Sequence, residues 1–331
     1  MAHELADRTF SALGTEVRLV VMGAGAASLA SQAEEAVLDY HARLSRFLPD
    51  SELCALNDDP RRRVPASALL REAVAAGLWA ARHSGGLVDP CLLGALERAG
   101  YRSSLSPGWR RPVGRALPPR GASRPARPHP GAAWRRLRVD ESERAIVRPT
   151  GLRLDLGGSG KGHVADRVAR TFAAAERWIV DCGGDLRVGG AGILHEVHVA
   201  HPLGDGVAAR LWVSDAAVAT SSVASRAWTN RDGSSAHHLL DPSTGEPAWT
   251  GLLAATAIAT TTLEAETLAK MALLSGAAGA RRALAPGGGL FVHADGKVER
   301  VGRLPEMPSE APPRQRERRA PTWSLPAEVV S

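Results

Sequence analysis

Apolar residues recur along the chain with two periods, and the switches between them mark out strands and helices. Ser11 to Met22 opens on Gly14-Thr15 and then alternates Val17, Leu19 and Val21, the period of a half-buried strand. From about Ala26 to Phe47 the period lengthens: Leu29, Ala33, Ala36, Val37, Tyr40 and Leu44 are spaced by three or four and predict a helix. Ser51 is placed to cap a short helical turn reaching Asn57. A further helix, about Ala66 to His83, gathers Leu70, Ala73, Val74, Leu78 and Ala81 on one face and stops at Gly85-Gly86. In Leu87-Val88-Asp89-Pro90 the proline favours an extended Asp89, whose carboxylate can serve a ligand or, equally, close an Asx-type turn.

Trp134 to Val139 and Arg144 to Arg148 read as a hairpin, and Leu152, Leu154 and Leu156 alternate as a strand would. That strand runs into Gly157-Gly158-Ser159-Gly160-Lys161-Gly162, a glycine elbow, with a helical pattern from Val164 to Ala174. Arg177 to Val188 gives two strands joined at Gly183-Gly184 between Asp181 and Asp185, and Glu196–Ala200, Arg210–Val213 and Ala217–Thr220 give three more. Ala236 to Leu240 ends in a turn led by Asp241-Pro242, with Gly245 where a positive φ suits it. His237 and His238 are neighbours on that strand, so they point to opposite faces and at most one enters any site. A buried strand, Leu252 to Thr260, leads to a helix, Thr262 to Leu274, that carries Glu266 and Lys270 on one face. The bland reading of that pair is a surface ion pair. Ala278 to Arg300 closes the chain as helix, strand, strand.

Composition narrows the picture. The chain has 331 residues and is 44% hydrophobic, enough for a proper core. That length suits one large domain or two small ones; the body is expected over residues 11–302, with an N-terminal extension at 1–10 and a disordered, Pro- and Arg-rich tail at 303–331. The formal charge of +6 comes from one place: residues 103–136 hold eight arginines, seven prolines and no acidic residue. That stretch reads as a solvated insert, and the remainder is mildly acidic. With only Trp109 and Trp134 to stack on bases, the insert is a poor nucleic-acid binder, so no nucleic acid is expected; a basic nucleic-acid or membrane-surface binder stands as a minor alternative. Cys54, Cys91 and Cys182 are too widely spaced for a disulfide framework or a CxxC metal site. No apolar run is long enough for a transmembrane segment, and Met1 to Phe10 has no signal-peptide core, so the expected location is the cytoplasm.

The elbow carries the chemistry. It lacks the glycine spacing of a P-loop or of a dinucleotide fingerprint, yet its backbone suits close approach to an anion at a helix start. Lys161 is one of only three lysines, with Lys270 and Lys297, in a chain that otherwise uses arginine, which points to a need for a compact ammonium.

Leu13-Gly14-Thr15, Ser45 to Asn57, Gly86 to Pro90, Asp155 to Gly162, Asp181 to Asp185, Thr220-Ser221, His238 to Gly245 and Ala265 to Lys270 together resemble the ApbE family, the FAD:protein FMN transferases, in the family's order. The resemblance implies an ApbE-like α+β flavin transferase fold, with mixed or antiparallel sheets packed against helices. It implies FAD as substrate, a divalent cation, usually Mg²⁺, and an acceptor flavoprotein as partner. In the family a Ser/Thr hydroxyl of the acceptor attacks the FMN-side phosphorus of FAD, and AMP leaves. By this similarity Leu13, Phe47, Leu87, Val88, Asp89, Asp155, Lys161 and Leu240 line the nucleotide site, and His238 and Asp241 sit at its reacting end. Histidine is poised near neutral pH to take the hydroxyl proton.

The chain departs from the family where an aspartate and, four residues on, a threonine usually hold the metal. Here these are Glu266 and Lys270, with the Gly158 carbonyl still available. A protonated lysine cannot ligate Mg²⁺, so Lys270 is expected to meet the phosphates itself and to weaken Mg²⁺ dependence. The same departure supports an alternative: a degenerate member that binds FAD or FMN without transfer.

Overall fold

In the computed structural model, which describes residues 4–104, 123–230, 233 and 235–305, the chain opens on a hairpin of β1 (Leu5–Ala12) and β2 (Thr15–Met22). Residues 5–10, expected as an extension, are thus the edge strand of the main sheet. The hairpin turn is Leu13-Gly14, both at positive φ (58° and 69°), as a two-residue type I′ turn requires. Next come α1 (Ala26–Leu44), α2 (Glu52–Asp58), β3 (Arg63–Pro65), α3 (Ala68–His83) and α4 (Leu93–Arg98). Ser51 and Ser67 cap α2 and α3, accepting from Cys54 N at 3.1 Å and Leu70 N at 3.2 Å. After β4 (Arg138–Asp140) and β5 (Ala145–Val147), the hairpin read from the sequence, come α5 (Gly160–Thr171), β6 (Arg177–Cys182) and β7 (Asp185–Gly189). The chain continues through β8 (His195–Ala200), β9 (Val207–Val213), β10 (Ala217–Ser222), β11 (Ala227–Thr229) and β12 (Ser235–His237). It ends with β13 (Leu240–Asp241), β14 (Glu246–Pro247), β15 (Leu252–Ala259), α6 (Thr262–Leu274), α7 (Gly276–Leu284), β16 (Gly289–His293) and β17 (Val298–Val301).

Eight strands form one antiparallel sheet in the order β1-β2-β6-β7-β10-β15-β16-β17. Alternation along β2 decides its two faces. Val17, Leu19 and Val21 join the core under α1, α3 and α5, whereas Val20 packs with Ile179, Val197 and Leu211, where the separate β8–β9 ribbon covers the other face. Two-sided burial is why β6 reads as an almost unbroken apolar run. Among the described residues no helix is long and apolar enough to cross a membrane, and the three cysteines are free.

One further expectation fails. Residues 152–156 are extended but belong to no sheet. Buried Asn57 replaces a neighbouring strand: its Oδ1 accepts from Leu154 N at 2.7 Å and its Nδ2 donates to Leu154 O at 2.9 Å. Pro90 O accepts from Asp155 N at 2.8 Å, and the fully buried Arg148 guanidinium donates to the carbonyls of Leu152, Leu56 and Asp59. The apolar alternation was real, but point contacts rather than a ladder satisfy the backbone. The insert departs from expectation only in being tied down at its end, its described arginines being exposed. Residues 105–122 lie outside the described residues, but from 123 onward the chain is docked: Arg124 N donates to Trp249 O, Ala126 N to Leu274 O (both 2.8 Å), and Trp134 is buried.

Candidate functional site

A single pocket gathers most of the residues singled out above. Leu13, Phe47, Leu87, Val88, Asp89, Asp155, Gly158, Lys161, His238, Leu240 and Lys270 line it. At one end lies an aromatic platform: Phe47 meets Tyr101 edge-on (centroids 5.4 Å apart), and Tyr101 stacks on Trp228 (5.4 Å, 19° between planes). The Arg46 guanidinium lies 4.1 Å from the Phe47 centroid and 4.6 Å from that of Tyr101. It is held by Asp155 Oδ2 at 2.6 Å, while Asp155 Oδ1 accepts from Gly157 N at 2.9 Å. Leu87, Val88, Leu96 and Leu240 supply apolar wall. These contacts give this part of the pocket a lining of aromatic rings, a guanidinium and apolar side chains.

The other end is cationic. The elbow opens α5, and Lys161, in its first turn, reaches Asp185 Oδ2 at 2.5 Å at the start of β7. From α6 Lys270 donates to Glu266 Oε1 at 2.8 Å. Arg226 also faces the pocket and donates to Leu13 O at 3.3 Å. His238 lies among these cations; burial, then Arg226, His237, Lys270 and Lys161, push its pKa well below the usual imidazole value. Its ring is therefore neutral near pH 7, and Nδ1 is buried without a protein partner. His237 faces away, edge-on to Trp249 at 4.5 Å, so only one of the two histidines enters the site.

Two candidates stand elsewhere. Asp241 is off the pocket wall: its Oδ1 accepts from Ser243 N (3.0 Å), Ser243 Oγ (2.7 Å) and Arg127 N (3.1 Å), which pins the docked end of the insert. Glu266 is fully buried behind Lys270, so the pair is not the surface contact of the bland reading. Its Oε2 accepts from Gly162 N at 2.8 Å, and burial drives its pKa upward against the pull of Lys270. Gly162 must be glycine: a Cβ there would lie 2.7 Å from Thr262 O. Asp89 is on the wall and also closes the Asx turn, Oδ1 accepting from Cys91 N at 2.8 Å; burial raises its pKa.

Mg²⁺ demands a near-octahedral shell of hard oxygens. Glu266 has both oxygens engaged, one by an ammonium, and Lys270 offers no lone pair. Among the described residues no group of three or more His, Cys, Asp or Glu is placed to hold a metal. The donor set does not fit the ion.

Sequence reasoning missed Arg46, Tyr101, Trp228 and Arg226. Arg46 lay inside the Ser45–Asn57 block, and Tyr101 is one of two tyrosines in the chain, the only signals available.

Fold and pocket together define an α+β protein with a cleft lined by aromatic, apolar and cationic side chains. The ApbE family model matches residues 13–290, and the chain belongs to that family. It is 34% identical over 141 residues to the FAD:protein FMN transferase of Treponema pallidum, covering 38% of this chain and 39% of that one. It is 32% identical over 122 residues to the Escherichia coli K12 protein of the same name, covering 35% of this chain and 34% of that one. The chain thus spans about two fifths or less of the length of the curated relatives it matches. The crystal structure of the ApbE protein of Thermotoga maritima superposes with a TM-score of 0.75 at 26% identity, covering 90% of this chain and 97% of that one. The Pseudomonas stutzeri flavinyl transferase ApbE, apo form, shares the fold at 20% identity with a TM-score of 0.70, covering 91% and 96%.

Proposed function

We propose that this chain is an FAD:protein FMN transferase, moving FMN from FAD to a Ser/Thr hydroxyl of an acceptor flavoprotein with release of AMP. The observation that carries the reading is that neutral His238, with Lys161 and Lys270 near it, lines the same pocket as Phe47 and Tyr101. The curated relatives carry that activity in their names.

The chemistry follows from the geometry. The platform holds a ring of FAD, and the two ammonium groups lie against its pyrophosphate, whose charge otherwise repels an incoming oxygen. His238 takes the proton from the acceptor hydroxyl. The hydroxyl oxygen bonds to the FMN-side phosphorus, the bridging P–O bond breaks, and the electron pair leaves with AMP. Asp241 acts at one remove, by fixing the turn that follows His238 and Leu240. No step is routed through Mg²⁺, because the residues at Glu266 and Lys270 do not fit it.

The test is incubation of the purified chain with FAD and an acceptor domain bearing a Ser/Thr target, following AMP release and acceptor mass. AMP with an FMN-sized mass gain on the acceptor supports transfer. FAD binding without AMP supports the degenerate binder, which the replaced metal position favours.

A further inference from the structure

Resting on the flavin reading, we infer that this chain clamps the pyrophosphate of its nucleotide with two built-in ammonium groups, Lys161 and Lys270, and needs no divalent cation to bind it. Each ammonium faces the pocket and is backed by one buried carboxylate: Lys161 by Asp185 at 2.5 Å, Lys270 by Glu266 at 2.8 Å. Both carboxylates are essentially inaccessible, at 1% and 0% exposure, while the cations look into the cavity.

Such burial is a poor way to stabilise a fold. Desolvating an ion pair costs several kcal/mol, and apolar residues of similar volume often serve a core as well or better. Two such pairs side by side, each with its anion behind and its cation in front, instead form a surface of fixed positive charge. An ammonium has three donors, and the bond to its carboxylate uses one. Lys161 spends a second donor on Gly183 O at 3.5 Å; its last donor and the two left on Lys270 remain for phosphate oxygens, for which a compact ammonium acts as a point charge.

Glu266 explains why a metal is not added on top. One of its oxygens holds the elbow through Gly162 N and the other holds Lys270. Freeing it for a metal would unpin the glycine turn and leave an ammonium unpaired. The chain has thus exchanged a dissociable cation for a tethered one. The ligand class that fits is a dinucleotide with a pyrophosphate bridge in preference to a mononucleotide, since one phosphate cannot engage both ammonium groups as fully.

The experiment titrates the purified full chain with FAD and, separately, FMN, in EDTA and in Mg²⁺, following flavin fluorescence, and repeats this with Lys270→Thr, Lys270→Arg and Glu266→Asp/Lys270→Thr. The inference expects native FAD affinity to be the same in EDTA and Mg²⁺, and FAD to bind more tightly than FMN. Lys270→Thr should lose roughly ten- to a hundredfold in EDTA, Lys270→Arg should retain most of the affinity, and the double variant should regain binding with Mg²⁺. A collapse of native FAD binding in EDTA, or a Lys270→Thr chain that binds FAD normally in EDTA, overturns it. If native protein binds FAD in neither buffer, the flavin reading falls too. A thermal melt of each variant separates lost contacts from lost fold.

Discussion

Asp166 and Glu266 cap each other's helices. Asp166, in α5, accepts from Thr262 N (2.8 Å) and Leu263 N (2.9 Å) at the start of α6, and Glu266, in α6, accepts from Gly162 N (2.8 Å) in the first turn of α5. Each carboxylate satisfies amides that a helix cannot pair internally. Asp166→Ala should therefore lower stability by about 1–2 kcal/mol, read from the urea midpoint at unchanged m-value. Because α6 carries both Lys270 and the Glu266 that holds the elbow, FAD affinity should fall with it.

Leu13 sits at φ 58°, a conformation asparagine or glycine adopts more readily, while its N–H meets His41 Nδ1 and its carbonyl meets Arg226. Leu13→Asn should raise stability by up to about 1 kcal/mol and weaken FAD binding by removing an apolar side chain from the wall. Higher melting with unchanged affinity would show that the leucine does not touch the ligand.

Arg46 and Tyr101 were found only in three dimensions, and they answer for the ring-binding end. Tyr101→Ala should weaken FAD binding by roughly tenfold. Trp228, stacked on Tyr101, should report flavin binding by fluorescence quenching in the native chain, and Trp228→Phe should abolish that signal while keeping affinity.

Burial lowers the pKa of His163, His195 and His237 from 6.5 to about 4. The unfolded chain binds those protons more readily, so their contribution is whole above pH 6.5 and is lost as pH falls toward 4, on the order of 1–3 kcal/mol each for the buried His195 and His237 and less for the partly buried His163. Asp181 works in the opposite sense. Burial raises its pKa from 3.8 to about 7, so its contribution is whole below 3.8 and is lost as pH rises through 7. Denaturation midpoints across pH 4–8 check both signs: His195→Gln should flatten the acid limb and Asp181→Asn the neutral one.

What was legible in the sequence was local. The helix over Thr262–Leu274 matches α6 end for end, and the Asp181–Asp185 turn joins two strands as its glycines require, Gly183 and Gly184 both lying at positive φ. What escaped depended on distant partners. Leu152–Leu156 looked like a strand because nothing nearby announces that Asn57, 97 positions before Leu154, replaces one. The resemblance sets Asp241 near His238 but does not reveal that its carboxylate accepts from Arg127 N, in an insert whose composition reads as solvated. Nor does it reveal that Glu266 accepts from Gly162 N, 104 positions away.

The wall that carries Asp155 is fastened to the body by Asn57, Pro90 and Arg148 rather than by a ladder, whereas Lys161 rides on the interlocked pair α5 and α6. On the proposed reading, ring recognition and phosphate recognition are thus mounted on separate brackets of one frame. A drift in the first, toward a different flat ring, need not disturb the second, and that independence leaves such a pocket free to change its preference without relearning its chemistry.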